Sequence, residues 1–144
     1  MLNNLEKMIG SGVAFPYRDN SAGGLETNML LDRINQSLFI LLSTRKGSRL
    51  MLPEFGSDLS TYRFDPYDRV LVEKIRATLF RDVERWEARV IIDEIHCSLD
   101  TSSIDSHTLY IRIDYLVSNT DIKGNYVYPF RLETYDTDPV KVSE

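Results

Sequence analysis

The sequence predicts an α+β domain: two helices packed on one face of a small antiparallel β-meander. Three observations lead there. Two stretches, Leu30 to Leu42 and Leu71 to Trp86, carry apolar residues at helical spacing. After Arg89 the apolar period drops from about 3.6 to 2 and stays there through three successive runs. Connections rich in Ser, Thr, Asp and Gly separate those runs. The length, 144 residues, fits a single domain over 1–144.

Residues 1–26 read as a loop-rich segment punctuated by Gly10, Gly12, Gly23 and Gly24. Within it, Val13-Ala14-Phe15-Pro16-Tyr17 is a short extended piece. Pro16 has no N–H to give a ladder, so the piece suits only a sheet edge. The first helix is expected to begin near Thr27 or Asn28, either of which can cap it. Leu30, Leu31, Ile34, Leu38, Leu41 and Leu42 form its apolar stripe, and Gly47 marks its end. Arg45 to Phe64 is irregular, with Gly47, Pro53 and Gly56. Such a segment inside a compact domain is often functional. Its apolar residues Leu50, Leu52, Phe55 and Leu59 predict that it is packed down. The second helix has the clearest start: Asp65 to cap, Pro66 in the first turn, and Asp68 near the positive end of the dipole. Leu71, Ile75, Leu79, Val83 and Trp86 then make one buried face, with Arg69, Glu73, Arg76 and Arg81 on others.

In the strands, Ile91, Ile95, Cys97 and Leu99 are expected on one face of the first. Leu109, Ile111, Ile113, Tyr115 and Val117 share a face of the second, and Tyr126, Tyr128, Phe130 and Leu132 a face of the third. Pro129 marks the third as an edge. Residues 134–144 read as a flexible polar tail.

Composition narrows the function. The apolar share is 42% and the charged share 27%, ordinary for a globular protein. No apolar run approaches the ~18 residues of a membrane span. No basic region leads into an apolar stretch at the start, so no secretory signal is expected. Cys97 alone cannot form an internal disulfide. The net charge is 17 − 22 = −5 and the basic residues are scattered, which argues against a nucleic-acid footprint.

Chemistry-bearing patterns are sparse. His96 and Cys97 are neighbours on a strand, so they point to opposite faces and serve no common site. No metal site and no cofactor are expected. Gly10-Ser11-Gly12 lacks the spacing of a phosphate loop. The 22 acidic residues offer many carboxylate pairs, but abundance alone does not make a glycosidase.

Three segments are less generic. Leu41-Leu42-Ser43-Thr44 runs into Gly47-Ser48-Arg49; Pro53-Glu54-Phe55-Gly56 forms an aromatic-Gly turn; Glu87-Ala88-Arg89 lies at the helix-to-strand junction. With Gly12-Val13-Ala14-Phe15-Pro16 ahead of them, and in this order, they resemble the baseplate wedge and sheath-initiator family of contractile tails. That family has a phage branch and a type VI secretion counterpart. The middle segment looks phage-like. One departure stands out: Ala88 replaces the proline of the family's Glu-Pro-Arg signature, which leaves the end of the second helix less sharply fixed.

The resemblance implies a non-enzymatic virion component, assembled in the host cytoplasm and present in six copies per baseplate. Its implied partners are wedge core proteins, the tail sheath protein, and hub or tube proteins. Glu87 and Arg89 would contact the wedge core. Gly47, Arg49, Phe55 and Gly56 would form a structural or interface turn. Tyr110, Arg112, Tyr126, Val127 and Tyr128 would offer a sheet edge to a sheath strand. Plainer readings coexist with these. Arg89 caps the second helix, Arg49 neutralises a carboxylate, and Phe55 and Trp86 anchor the core. A protein-binding adaptor of the same fold and a cell-wall hydrolase are the alternative functions.

Overall fold

A computed structural model describes residues 12–13, 27–28, 30–100 and 107–133. The elements are β1 (Gly12–Val13), β2 (Thr27–Asn28), α1 (Leu30–Ser43), a 3₁₀ turn (Leu59–Tyr62), α2 (Arg69–Trp86), β3 (Val90–Leu99), β4 (Thr108–Val117) and β5 (Lys123–Arg131). β1 and β2 pair antiparallel, and β3-β4-β5 form an antiparallel meander. The expected α+β architecture stands. The tail from 134 and the Phe15-Pro16 piece lie outside the described residues.

The two helices build the core in two clusters. Ile34, Leu38 and Leu41 of α1 meet Val83, Val90, Tyr115 and Val117. Leu71, Ile75 and Leu79 of α2 meet Ile95, Leu109, Ile111, Ile113 and Phe130, with Leu42 and Leu59 closing that cluster. Ile34, Leu38, Leu41 and Leu42 of α1, Leu71, Ile75, Leu79 and Val83 of α2, and the whole inward face of β4 are buried as their periods require, with Leu31 and Trp86 partly buried beside them.

Four expectations are corrected. Thr27 and Asn28 do not begin α1; they form a short strand paired with Val13 and Gly12, and the helix begins at Leu30. Asp68, not Asp65, caps α2, its carboxylate accepting from the Leu71 N–H at 2.6 Å. Ile91 does not share the face of Ile95. The β3–β4 register shifts between Ile92 and Glu94, so Asp93 is an extra residue and the alternation changes phase there. Ile91 is consequently 54% exposed while Val90 and Ile95 are buried. Finally, Leu50 and Leu52 do not pack down. From that segment Leu59 reaches the core, with the half-buried Phe55 and Tyr62 packed against it.

Strand order corrects one further expectation. β4 is central, so Tyr110 and Arg112 belong to no edge: their main chain pairs with Ser98 and His96 on one side and lies opposite Pro129 and Val127 on the other. Tyr126 and Tyr128 point inward, half-buried against the core. Their hydroxyls are held in protonated form: burial, then the neighbouring Tyr128, pushes Tyr126 up to about 12. Burial also raises Tyr128.

Candidate functional site

The C-terminal end of α2 organises the first feature. Glu87 closes the helix, its N–H donating to the Val83 carbonyl at 2.8 Å. Its carboxylate turns inward, and the residue as a whole is 4% exposed. Arg89 grips it with two parallel bonds, Nε to Oε1 at 2.6 Å and Nη2 to Oε2 at 2.7 Å, and the Ser37 hydroxyl of α1 donates to Oε2. Burial pushes the Glu87 carboxyl up. The hydrogen bonds from Arg89 and Ser37 and the Arg89 charge more than offset this and hold it below the usual range. The same bonds raise Arg89, against the opposing effect of its own burial. Glu87 is thus an internal clasp between α2, α1 and the start of β3. It is not open to a partner, whereas the Arg89 side chain keeps 29% of its surface in solvent.

The loop after α1 meets the same helix end. Thr44 accepts from the Ser57 N–H at 2.8 Å, and Arg45 and Ser57 form an isolated parallel bridge. Gly56 sits at φ +120°, and a Cβ there would lie 2.3 Å from the Thr44 carbonyl oxygen. Only glycine lets the two chain segments approach this closely. Phe55 packs edge-on against Trp86 with centroids 5.3 Å apart, and Arg49 lies 4.2 Å over the Phe55 ring. Arg85, stacked over Trp86 at 5.2 Å, pairs with Glu54. Gly47, at φ +83°, donates to the Pro53 carbonyl at 2.7 Å and closes the neck of the loop. Of the turn residues singled out by sequence, Phe55 reaches Trp86 and Arg49 stacks on Phe55, while Gly47 and Gly56 fix the loop's own backbone.

Sequence reasoning missed the polar struts of this region. Lys46 reaches Asp82 at 2.6 Å and Asp58 at 3.0 Å, with Asp82 buried. Burial works against the Lys46 charge, but the bonds to Asp82 and Asp58 prevail and raise its pKa. A signal was present: Thr78, Asp82 and Trp86 recur at steps of four, which places a carboxylate in line with a packed face. Ser37 left no comparable mark.

The third feature is the outer edge of β5. Within β4–β5, the Leu132 N–H donates to His107 and the Val117 N–H to Ile122. These bonds fix the parity of the ladder. The main-chain groups of Asn125, Val127, Pro129 and Arg131 therefore point away from β4. Among the described residues nothing pairs with them. The opposite edge is blunted: β3 carries the bulge, and Arg76 Nε donates to the Ile95 carbonyl at 3.0 Å.

A cavity of about 600 Å³ is lined by Asp32, Asp93, Glu94 and Asp114, but Arg112 pairs with Asp114 at 3.0 Å and Lys123 lies 4.0 Å from Asp93. A general acid needs a raised carboxyl pKa, and Glu87 moves the other way. Burial raises the Cys97 thiol, which makes it a poor nucleophile. Among the described residues no cluster fits a metal ion, and no helix is long and apolar enough to cross a membrane.

Comparison with known proteins adds a consistent set of likenesses. A family model described as baseplate wedge protein gp25 matches residues 28–121. The baseplate wedge protein gp25 of Enterobacteria phage T4 is 32% identical over 92 residues, 63% of this chain and 67% of that protein. Among solved structures, a chain described as a tail lysozyme from Geobacter sulfurreducens is 28% identical with TM-score 0.64, covering 74% of this chain and 97% of that one. A chain of the pyocin R2 post-contraction baseplate is 26% identical with TM-score 0.51, over 76% and 95%. A chain of the sixfold-symmetrised anti-feeding prophage baseplate shares the fold, at TM-score 0.71 and 22% identity over 81% and 92%.

Proposed function

This chain belongs to the baseplate wedge protein gp25 family and is a structural subunit of a contractile-tail baseplate, and from that premise we propose that it starts the sheath by accepting a partner strand along β5. The open main-chain edge of Asn125, Val127 and Arg131 carries this reading. An extended arm laid there would satisfy outward-pointing N–H and C=O groups at no cost to the existing ladder. Pro129 leaves one outward position without a donor, so the arm must tolerate a gap in the hydrogen-bond row. Tyr110, Arg112 and Val127, on the solvent face of the sheet, would contact side chains of the arm.

Anchoring to the wedge core falls to Arg89. Glu87 holds the guanidinium from inside, so the exposed part of the fork is pre-oriented toward a carboxylate or carbonyl of the partner. The family likeness supports two further parts of this proposal, attachment to hub or tube proteins and six copies around the axis.

Val127→Pro tests the edge. It removes an N–H that points away from β4, so the domain should keep its thermal midpoint within a few degrees. Sheathed tails in infected or induced cells, counted by electron microscopy, should fall at least tenfold. Normal tail numbers with this variant would show that the arm docks elsewhere.

A second reading, cell-wall hydrolysis, is favoured only by the likeness to the Geobacter chain described as a tail lysozyme. Purified protein should leave the turbidity of a peptidoglycan suspension unchanged; clearing would establish the enzyme.

A further inference from the structure

We propose that the tip of the loop between α1 and α2, Leu50 and Met51, is a plug that seats in an apolar pocket with a carboxylate rim on a neighbouring baseplate subunit. This rests on the baseplate reading above but uses a surface distinct from β5 and Arg89. Leu50 is 99% and Met51 96% exposed, the two most exposed large apolar side chains among the described residues. A loop free to collapse would bury them. This one is held out from below: the Gly47–Pro53 bond closes its neck, Arg49 stacks on Phe55, Phe55 packs on Trp86, and Lys46 is tied to Asp82. The tip is thus preorganised, and binding needs little further ordering of the chain.

Charge defines the rim. Arg45 and Arg49 flank the tip, both exposed, so the complementary pocket carries Asp or Glu at its mouth. A second copy is the poorer match: the acid-lined cavity among the described residues offers only Leu31 and Tyr115 as apolar wall. A lipid surface fits poorly as well. The aromatic nearest the tip, Phe55, is held beneath Arg49, and the chain carries net charge −5.

The test uses the full chain in tail assembly. L50D/M51D should keep the wild-type thermal midpoint yet lower sheathed tails at least tenfold, while the volume-conserving L50M/M51L should restore them. A photo-crosslinker at position 51 should join a baseplate subunit at apolar residues flanked by Asp or Glu. Normal tails with L50D/M51D, or an adduct with a second copy of this chain, would overturn the proposal. So would tip-dependent binding of the wild type to vesicles of anionic phospholipid. Absence of the wild-type chain from purified particles would overturn the baseplate reading and this one together.

Discussion

Glu87 is a carboxylate that folding buries and keeps charged, so its worth depends on pH. Its folded pKa lies below the ordinary 4.5, which means the unfolded chain takes up the proton first as pH falls. The stabilisation is therefore complete above about pH 4.5 and is lost as pH drops through the folded value. Glu87→Gln should cost roughly 1–3 kcal/mol at pH 7, because a neutral amide leaves Arg89 without its ion pair. Thermal midpoints measured from pH 7 to 3 should show the gap between wild type and variant closing at the acid end. A gap independent of pH would mean that the carboxylate's charge is not what Arg89 and Ser37 stabilise. Gly56 and Gly47 make a second contrast. Both have positive φ, but a Cβ on Gly56 strikes the Thr44 carbonyl while one on Gly47 meets open space. Gly56→Ala should cost about 2–4 kcal/mol and Gly47→Ala about 1 kcal/mol, read by denaturant unfolding.

Elements here succeed or fail on phase. In β3 the bulge at Asp93 lets Val90 and Ile92 face inward on one side of it and Ile95, Cys97 and Leu99 on the other. Deleting Asp93 removes the extra residue and restores plain alternation with the same residues inside. Deleting His96 instead forces one half of the strand to turn its apolar face to water. The Asp93 deletion should fold with a loss below about 2 kcal/mol, and the His96 deletion should lose roughly 4 kcal/mol or more, by urea denaturation. Equal losses would show that the bulge is itself required, for instance to aim the α2–β3 junction. The loop from Arg45 to Tyr62 follows different logic. Its two ends are fixed by polar struts and one aromatic stack, so its middle can stay apolar and exposed.

At the scale of the whole molecule, two clusters share one sheet. The first hangs on α1 and the second on α2, with partly buried Ile92 and Tyr126 touching both. Leu38→Ala and Ile75→Ala should each cost about 2–5 kcal/mol. Because the two residues belong to different clusters, their double mutant should lose the sum to within about 0.5 kcal/mol. A larger coupling would mean that the clusters melt as one body through the shared strand residues. Among the described residues nothing covers the sheet face away from the helices, where Tyr110, Arg112 and Val127 lie exposed. A two-layer arrangement whose described residues leave one face and one edge uncovered is suited to assembly, since neighbours can complete it without unfolding it.

Sequence by itself determined the two helices, the three strands, the inward residues of β4 and β5, and the family. Each rests on a repeat or an ordered motif that local chemistry writes directly into the chain. Residues such as Gly56 and Phe55 were legible for the same reason, since a tight aromatic-Gly turn needs glycine wherever it sits. Only the tertiary structure decided that β4 is central, that Asp93 is surplus, that Glu87 faces inward to Ser37, and that Leu50 and Met51 face outward. These depend on which strand lies beside which, and on contacts between residues such as Ser37 and Glu87 that stand 50 positions apart. Periodicity reports which face a residue shares with its neighbours in sequence; packing between distant segments decides what that face meets.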